Sequence, residues 1–189
     1  MMLNAEQIKE RDILRLKHSK GKYSQIGYDL SVKEIKTLRG TGQIYSDKTI
    51  LPEYIPVNTT VLERPMMSKD DINHKVYGWN LSIGYYLSIG YYEVTFFEGC
   101  DIPSNLVGLI RQRSSMLRSG ALLHSSVFDP GFKTENIGSF IAVFCPIFIE
   151  KDSRIAQIYF HECDRVAPEH LYGGKGSQSQ FQFDNQRTS

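Results

Sequence analysis

The sequence predicts a mainly β protein, an antiparallel barrel or sandwich behind one short helix. From Tyr28 onward the chain breaks into short runs rich in Val, Ile, Tyr, Phe and Thr, interrupted by Gly, Pro, Asn or Asp. That is the pattern of many short strands joined by tight turns. Helical spacing marks only the opening residues, and the composition, 41% hydrophobic and 23% charged, is that of an ordinary globular chain. A length of 189 residues is enough to bury a sizeable core, so one domain over 1–189 is expected.

In chain order, residues 5–16 place Ile8, Ile13 and Leu14 among Glu, Lys and Arg, which predicts a short amphipathic helix with Asn4 as its cap. Strands are expected at 28–32, 49–51, 59–62, 91–97, 107–110, 139–148 and 154–160. One hexapeptide occurs twice, "LSIGYYLSIGYY" from Leu81 to Tyr92. Because six is even, the copy keeps every side chain on its original face. An extended hairpin is expected there, with Gly84 and Gly90 marking bends or bulges. The end of the chain, 173–189, carries three glycines and four glutamines without apolar periodicity, and reads as a flexible arm of the same domain with Phe181 and Phe183 on it.

Charge excludes little. Lys+Arg 22 against Asp+Glu 21 leaves a formal net charge of +1, which asks for neither a nucleic-acid nor a membrane partner, so any anion site must be local. The opening residues lack a signal-like apolar core and no later stretch is long enough to span a bilayer, which makes a cytoplasmic protein the expectation. Cys100, Cys145 and Cys163 are scattered and form no CxxC pair, and all three read as small core residues. His124, alone in "ALLHSSV", reads as a hydrogen-bonded core residue, and no second histidine stands at a metal-ligand spacing from it.

The chemistry concentrates in "RQRSSMLRSGALLHSSVFDPGF". Arg113, Ser114, Ser115 and Arg118 follow directly on the apolar run "LVGLI". Guanidinium forks, hydroxyls and turn amides are what a polyphosphate requires, because each phosphate oxygen accepts several charge-assisted hydrogen bonds. A solvated basic turn has the same letters. Asp129, before Pro-Gly, is either a turn residue or a base that orients water for attack on phosphorus.

These stretches together resemble the trimeric dUTPase and dCTP deaminase superfamily. "IPSNLVGLIRQRSSMLRSG" is similar to its phosphate-binding motif, "IGYDLSV" to its first, "FDPGFKTE" to its third, "SRIAQIYF" to its fourth, and the Gly-rich arm to its last. The resemblance implies a distorted antiparallel β barrel that assembles as a homotrimer, with active sites between subunits and the C-terminal arm closing over a neighbour's site. It implies that Arg113, Ser114, Ser115, Arg118 and Gln157 hold a nucleoside triphosphate. Asp129 would lie beside the deoxyribose and orient the attacking water, with Phe132 packing on the sugar. Asp29 would lie near Mg²⁺ and its waters, and Tyr172, Lys175 and Gln178 resemble the Tyr, Lys and Gln of the deaminase arm.

Two departures shape the functional expectation. "LNAEQIKE" and "RSSMLR" look like the deaminase branch, whose chemistry needs a glutamate in the strand after the DPGF turn, yet that strand reads "IGSFIAVFCPIF" and Glu135 falls directly after the turn. Loss of a general acid/base removes roughly 10²–10⁴-fold in rate, whereas diphosphate hydrolysis needs an oriented water, a metal and cationic clamps. The segment between Ser114 and Asp129 is also shorter than in either branch, which leaves uracil or cytosine preference open. Mg²⁺-dependent hydrolysis of dUTP to dUMP and diphosphate is therefore the first expectation. A dCTP deaminase with a displaced proton carrier is the second, and an inactive nucleotide-binding trimer the third.

Overall fold

Asn4 caps the first helix as expected: its side chain accepts the Gln7 amide while the Gln7 side chain accepts the Asn4 amide, a reciprocal capping box. This helix, α1 (Ala5–Glu10), is shorter than predicted. Asp12 takes a left-handed φ of 48° and turns the chain, after which Ile13 is fully buried and Leu14 pairs with Cys100. The Ile13 carbonyl accepts the Asp101 amide at 2.8 Å, so this extended segment buries the two adjacent apolar side chains against the sheet, and the pattern 5–16 cannot reveal that choice.

The computed structural model describes residues 1–67 and 76–174, with the side chains of 65–67 and 76–78 excepted. The chain is mainly β. After α1 come β1 (Leu14–Arg15), β2 (Lys22–Tyr23), β3 (Tyr28–Arg39), β4 (Gln43–Ile44), β5 (Thr49–Ile50), β6 (Glu53–Pro56), β7 (Thr60–Met67), β8 (Val76–Leu87), β9 (Gly90–Phe96) and β10 (Gly99–Asp101). Then follow β11 (Leu106–Gln112), α2 (Ser114–Arg118), β12 (Ala121–His124), β13 (Lys133–Thr134), β14 (Gly138–Val143), β15 (Ile147–Glu150), β16 (Arg154–Glu162) and a 3₁₀ turn at Pro168–His170. No helix among the described residues is long and apolar enough to cross a membrane.

The main sheet is antiparallel, in the order β11-β16-β3-β9-β14-β12, with β2 and β6 also paired to β3. β3 organises it: its first half pairs with β16 and β2, its second with β9 and β6. Residues Tyr28 to Val32 are buried on both faces of that strand, so it has cover on both sides. Past β12, Phe128 exchanges both backbone hydrogen bonds with Gly108 of β11, 2.9 Å each way, which draws the two sheet edges together into a nearly closed barrel. Phe96, Phe160, Leu30, Ile35 and Ile141 are among the side chains that fill it.

Several sequence expectations are corrected. The strand expected at 139–148 is two strands in different sheets, because Pro146 has no N–H to continue a ladder and the chain turns a corner at 144–146. Cys145 stands exposed in that corner and Cys163 is half-buried, so only Cys100 is the core residue predicted. His124 is exposed at the end of edge strand β12, its ring 6.3 Å from that of Tyr91, and is not a core histidine.

The doubled hexapeptide is not a hairpin either. Its first copy lies in β8, which pairs with β7 and β15, while its second turns the corner at 88–89 and opens β9, which pairs with β3 and β14. The two glycines differ accordingly. A Cβ on Gly84 would lie 2.3 Å from the Ile149 carbonyl oxygen and 2.7 Å from Glu150 Cα, so the glycine permits close backbone approach, whereas on Gly90 the nearest atom is a Tyr92 ring carbon at 3.4 Å. Gly84→Ala is expected to destabilise the protein by roughly 1–3 kcal/mol, read as a lowered Tm, and Gly90→Ala to leave Tm within error. Equal effects at the two positions contradict the assignment.

Candidate functional site

β11 delivers Arg113 to the start of α2, where its amide donates to the Ile155 carbonyl at 2.8 Å and ties the turn to β16. In β16 the register shifts: Arg154 stands opposite Ser31 and Gln157 opposite Asp29, so four residues on one strand match three on the other. In a regular strand, residues three apart face opposite ways. This bulge turns Arg154 and Gln157 to the same side.

Between them lies Asp29, only 8% exposed. Its Oδ2 is 3.6 Å from Arg113 Nη1 and 3.9 Å from Arg154 Nη1, and Gln157 Nε2 donates to Ser24 Oγ and, at 3.4 Å, to Asp29 Oδ1. Arg113 Nη1 also donates to the Arg154 carbonyl at 3.3 Å. Two guanidiniums share one carboxylate, which leaves net positive charge at a partly desolvated spot. Ser114, Ser115 and Arg118 are exposed on α2 directly after Arg113. Ser115, Ser153 and Arg154 line a groove of about 220 Å³ between α2 and the β15–β16 connection. The charge excess and the row of hydroxyls suit an extended anion. Arg154 is the residue that sequence reasoning missed, because its spacing from Gln157 puts the two on one face only through the bulge.

The other predicted residues form a second group. Asp129 opens a tight turn in which its carbonyl accepts the Phe132 amide at 3.0 Å and Gly131, at φ 88°, donates to the Ile102 carbonyl. Asp129 is half-buried. Phe132 is 8% exposed, with its ring against Phe128 at 5.3 Å and Tyr172 at 5.1 Å. The Tyr172 amide donates to the Pro130 carbonyl, which anchors the residues before the arm on this turn. Burial, and secondarily the charge of Asp129, raise the Tyr172 hydroxyl above its ordinary pKa, so it is a neutral donor at physiological pH. Lys175, Gln178, Phe181 and Phe183 lie outside the described residues.

One chain does not bring the two groups together. Phe128 is bonded to Gly108, and Arg113 lies five residues further on, just past the end of β11. At about 3.3 Å per residue that is roughly 16 Å, and Asp129 lies on the far side of Phe128.

Proton-transfer candidates are also placed. β14 carries no glutamate. The carboxylate across from its Phe140 is Glu93 of β9, which is 2% exposed with Lys36 Nζ at 3.9 Å. Glu135 is exposed and pairs with Arg15. Among the described residues no three His, Cys, Asp or Glu side chains gather into a metal cage.

Comparison with known proteins bears on these groups. Residues 79–163 match the family model for dCTP deaminase-like proteins. The chain is 36% identical over 155 residues to the deoxyuridine 5'-triphosphate nucleotidohydrolase of Methanocaldococcus jannaschii, covering 80% of this chain and 86% of that one. It is 33% identical over 144 residues to the probable enzyme of the same description from Aeropyrum pernix, covering 75% and 76%. Among solved structures, the 2'-deoxycytidine 5'-triphosphate deaminase of Agrobacterium tumefaciens superposes with a TM-score of 0.53 over 89% of this chain and 50% of its own length, at 16% identity, which is a likeness of fold.

Isothermal titration with inorganic tripolyphosphate tests the cluster. Each guanidinium that bonds the anion contributes about 1.5–3 kcal/mol, so Arg113→Ala and Arg154→Ala are each expected to weaken binding about 10-fold or more. Unchanged affinity in Arg154→Ala removes that residue from the site.

Proposed function

We propose, since the chain belongs to the dUTPase and dCTP deaminase superfamily, that it hydrolyses dUTP to dUMP and diphosphate. The observation that carries this reading is the pair Arg113 and Arg154 closed around Asp29, with the exposed hydroxyls of α2 beside them. Guanidiniums and hydroxyls of this kind bind a triphosphate and stabilise the charge that grows on diphosphate as it leaves.

In this reading Arg113, Ser114, Ser115, Arg118, Arg154 and Gln157 hold the triphosphate. Asp129 accepts a hydrogen bond from a water, takes its proton as the oxygen attacks phosphorus, and so drives cleavage of the bond between the α-phosphorus and its bridging oxygen. Phe132 packs on the deoxyribose, Tyr172 donates a hydrogen bond at the same end, and Lys175 and Gln178 of the arm complete the cover. A magnesium ion fits the donor set as a passenger of the substrate. Mg²⁺ needs one or two carboxylates beside phosphate oxygens and waters, and Asp29 is such a carboxylate next to the arginines. Asp29 would hold such an ion by accepting hydrogen bonds from its waters, and the chemistry supplied would be neutralisation of phosphate charge.

The separation of Asp129 from Arg113 along β11 supports a site completed between copies of the chain, in a homotrimer. The family match to deaminase-like proteins favours dCTP deamination as a second reading. It is the weaker one, because Glu93, the carboxylate across from β14, is closed off from any substrate at 2% exposure.

Product analysis after incubation with each dNTP and dUTP in Mg²⁺ separates the readings: dUMP and diphosphate from dUTP are expected. Ammonia from dCTP favours the deaminase, and no turnover favours a binding protein. Asp129→Asn is expected to lose roughly 10²–10⁴-fold in kcat with triphosphate affinity retained, and unimpaired turnover removes Asp129 from its role. Co-expression of Asp129→Asn with Arg113→Ala subunits is expected to recover part of the turnover that each variant lacks alone, because mixed assemblies contain sites with both residues intact. No recovery in verified mixed assemblies contradicts a shared site.

A further inference from the structure

Directly across from Arg154 on β3 stands Ser31, and beneath it, in the turn between β9 and β10, lies Glu98. Glu98 is 0% exposed. Its Oε2 accepts the Ser31 amide at 2.9 Å, and its Oε1 accepts the Ser31 hydroxyl at 2.7 Å and the Ser19 hydroxyl. Ser19 Oγ in turn accepts the Gly21 amide and bonds the Tyr28 hydroxyl, both at 2.8 Å, and Ser31 Oγ accepts the Lys20 amide at 3.0 Å. A carboxylate taken wholly out of water is tolerated only when donors surround it, and here they come from two separate segments, 19–21 and β3.

This network grips the site's own backbone. Ser31 shares a face of β3 with Asp29, two residues before it. Its amide is held by Glu98, its carbonyl by the Phe97 amide at 3.0 Å, and the next amide, Val32, donates to the Ser153 carbonyl at 3.0 Å. The β16 bulge that turns Arg154 toward Asp29 begins opposite Ser31. Segment 19–21 also abuts Asp29 itself, since a Cβ on Gly21 would lie 2.2 Å from the Asp29 carbonyl oxygen and 2.8 Å from Glu98 Oε1.

We propose that Glu98 is a positioning residue for the polyphosphate site: it fixes Ser31 against the bulge and thereby the spacing of Asp29, Arg113 and Arg154. The proposal deepens the diphosphatase reading and rests on it for the ligand, a triphosphate. It assigns Glu98 no contact with substrate. Misplacing two charge-assisted donors by a fraction of an ångström is costly to an anion that needs both.

The test is tripolyphosphate affinity by titration calorimetry, read beside dUMP affinity and Tm, in Glu98→Gln, Ser31→Ala and Ser19→Ala. Glu98→Gln keeps the shape but turns an amide NH₂ toward a donor. It is expected to weaken tripolyphosphate binding at least about 5-fold, with dUMP affinity changed less. Ser31→Ala is expected to follow the same pattern and Ser19→Ala to lower Tm with little effect on affinity. If Glu98→Gln does not fold, Ser31→Ala decides. Lowered Tm with wild-type tripolyphosphate affinity in both Glu98→Gln and Ser31→Ala overturns the proposal, because the network is then structural alone. Failure of wild-type protein to turn over dUTP, with tripolyphosphate binding intact and sensitive to Glu98, overturns the diphosphatase reading and leaves the positioning role standing.

Discussion

One buried carboxylate held between two guanidiniums organises this molecule's chemistry. Asp29 at 8% exposure needs partners for its charge, and Arg113 and Arg154, each with its guanidinium partly in water, supply them. The three arrive from different parts of the chain: Asp29 on the doubly covered half of β3, Arg113 from the end of β11, and Arg154 through the bulge in β16. Remove the bulge and Arg154 turns to the other face. The fold therefore stores an excess of one positive charge beside a short helix of hydroxyls, the place where the proposed polyphosphate would supply the counter-charge.

The barrel's connectivity then explains why the Asp129 turn and the arginine cluster are separated within a chain. β11 carries the Asp129 turn at its start, through the Gly108–Phe128 exchange, and the arginine cluster at its end. A strand is stiff on this scale, so one copy cannot fold its acid back onto its own arginines. In the proposed homotrimer a second copy would offer its complementary end instead.

Much of the fold was legible in the sequence. The strands at 28–32, 91–97, 107–110 and 154–160 were visible because period-2 patterning and turn residues are local signals. What the sequence hid was non-local. The two LSIGYY copies are identical in letters, yet one lies in a three-stranded sheet and the other turns into the main one. The first helix overran its true end because a left-handed Asp12 looks like any other Asp. His124 and Cys145 read as buried because their neighbours are apolar, but an edge strand and a proline corner leave them outside. At the site, Arg113, Gln157 and Asp29 were legible through the resemblance of three separate motifs, and the structure brings them together. Arg154 was not, since a bulge is invisible to spacing rules, and Glu98 was not, since its partners are fixed only by tertiary packing.

The most direct measurement is an experimental structure of the assembled protein with a non-hydrolysable dUTP analogue. The account predicts phosphates within hydrogen-bond distance of Arg113 and Arg154 of one copy and the deoxyribose beside Asp129 of another. A triphosphate bound away from Asp29, or an analogue held entirely by a single copy, contradicts it.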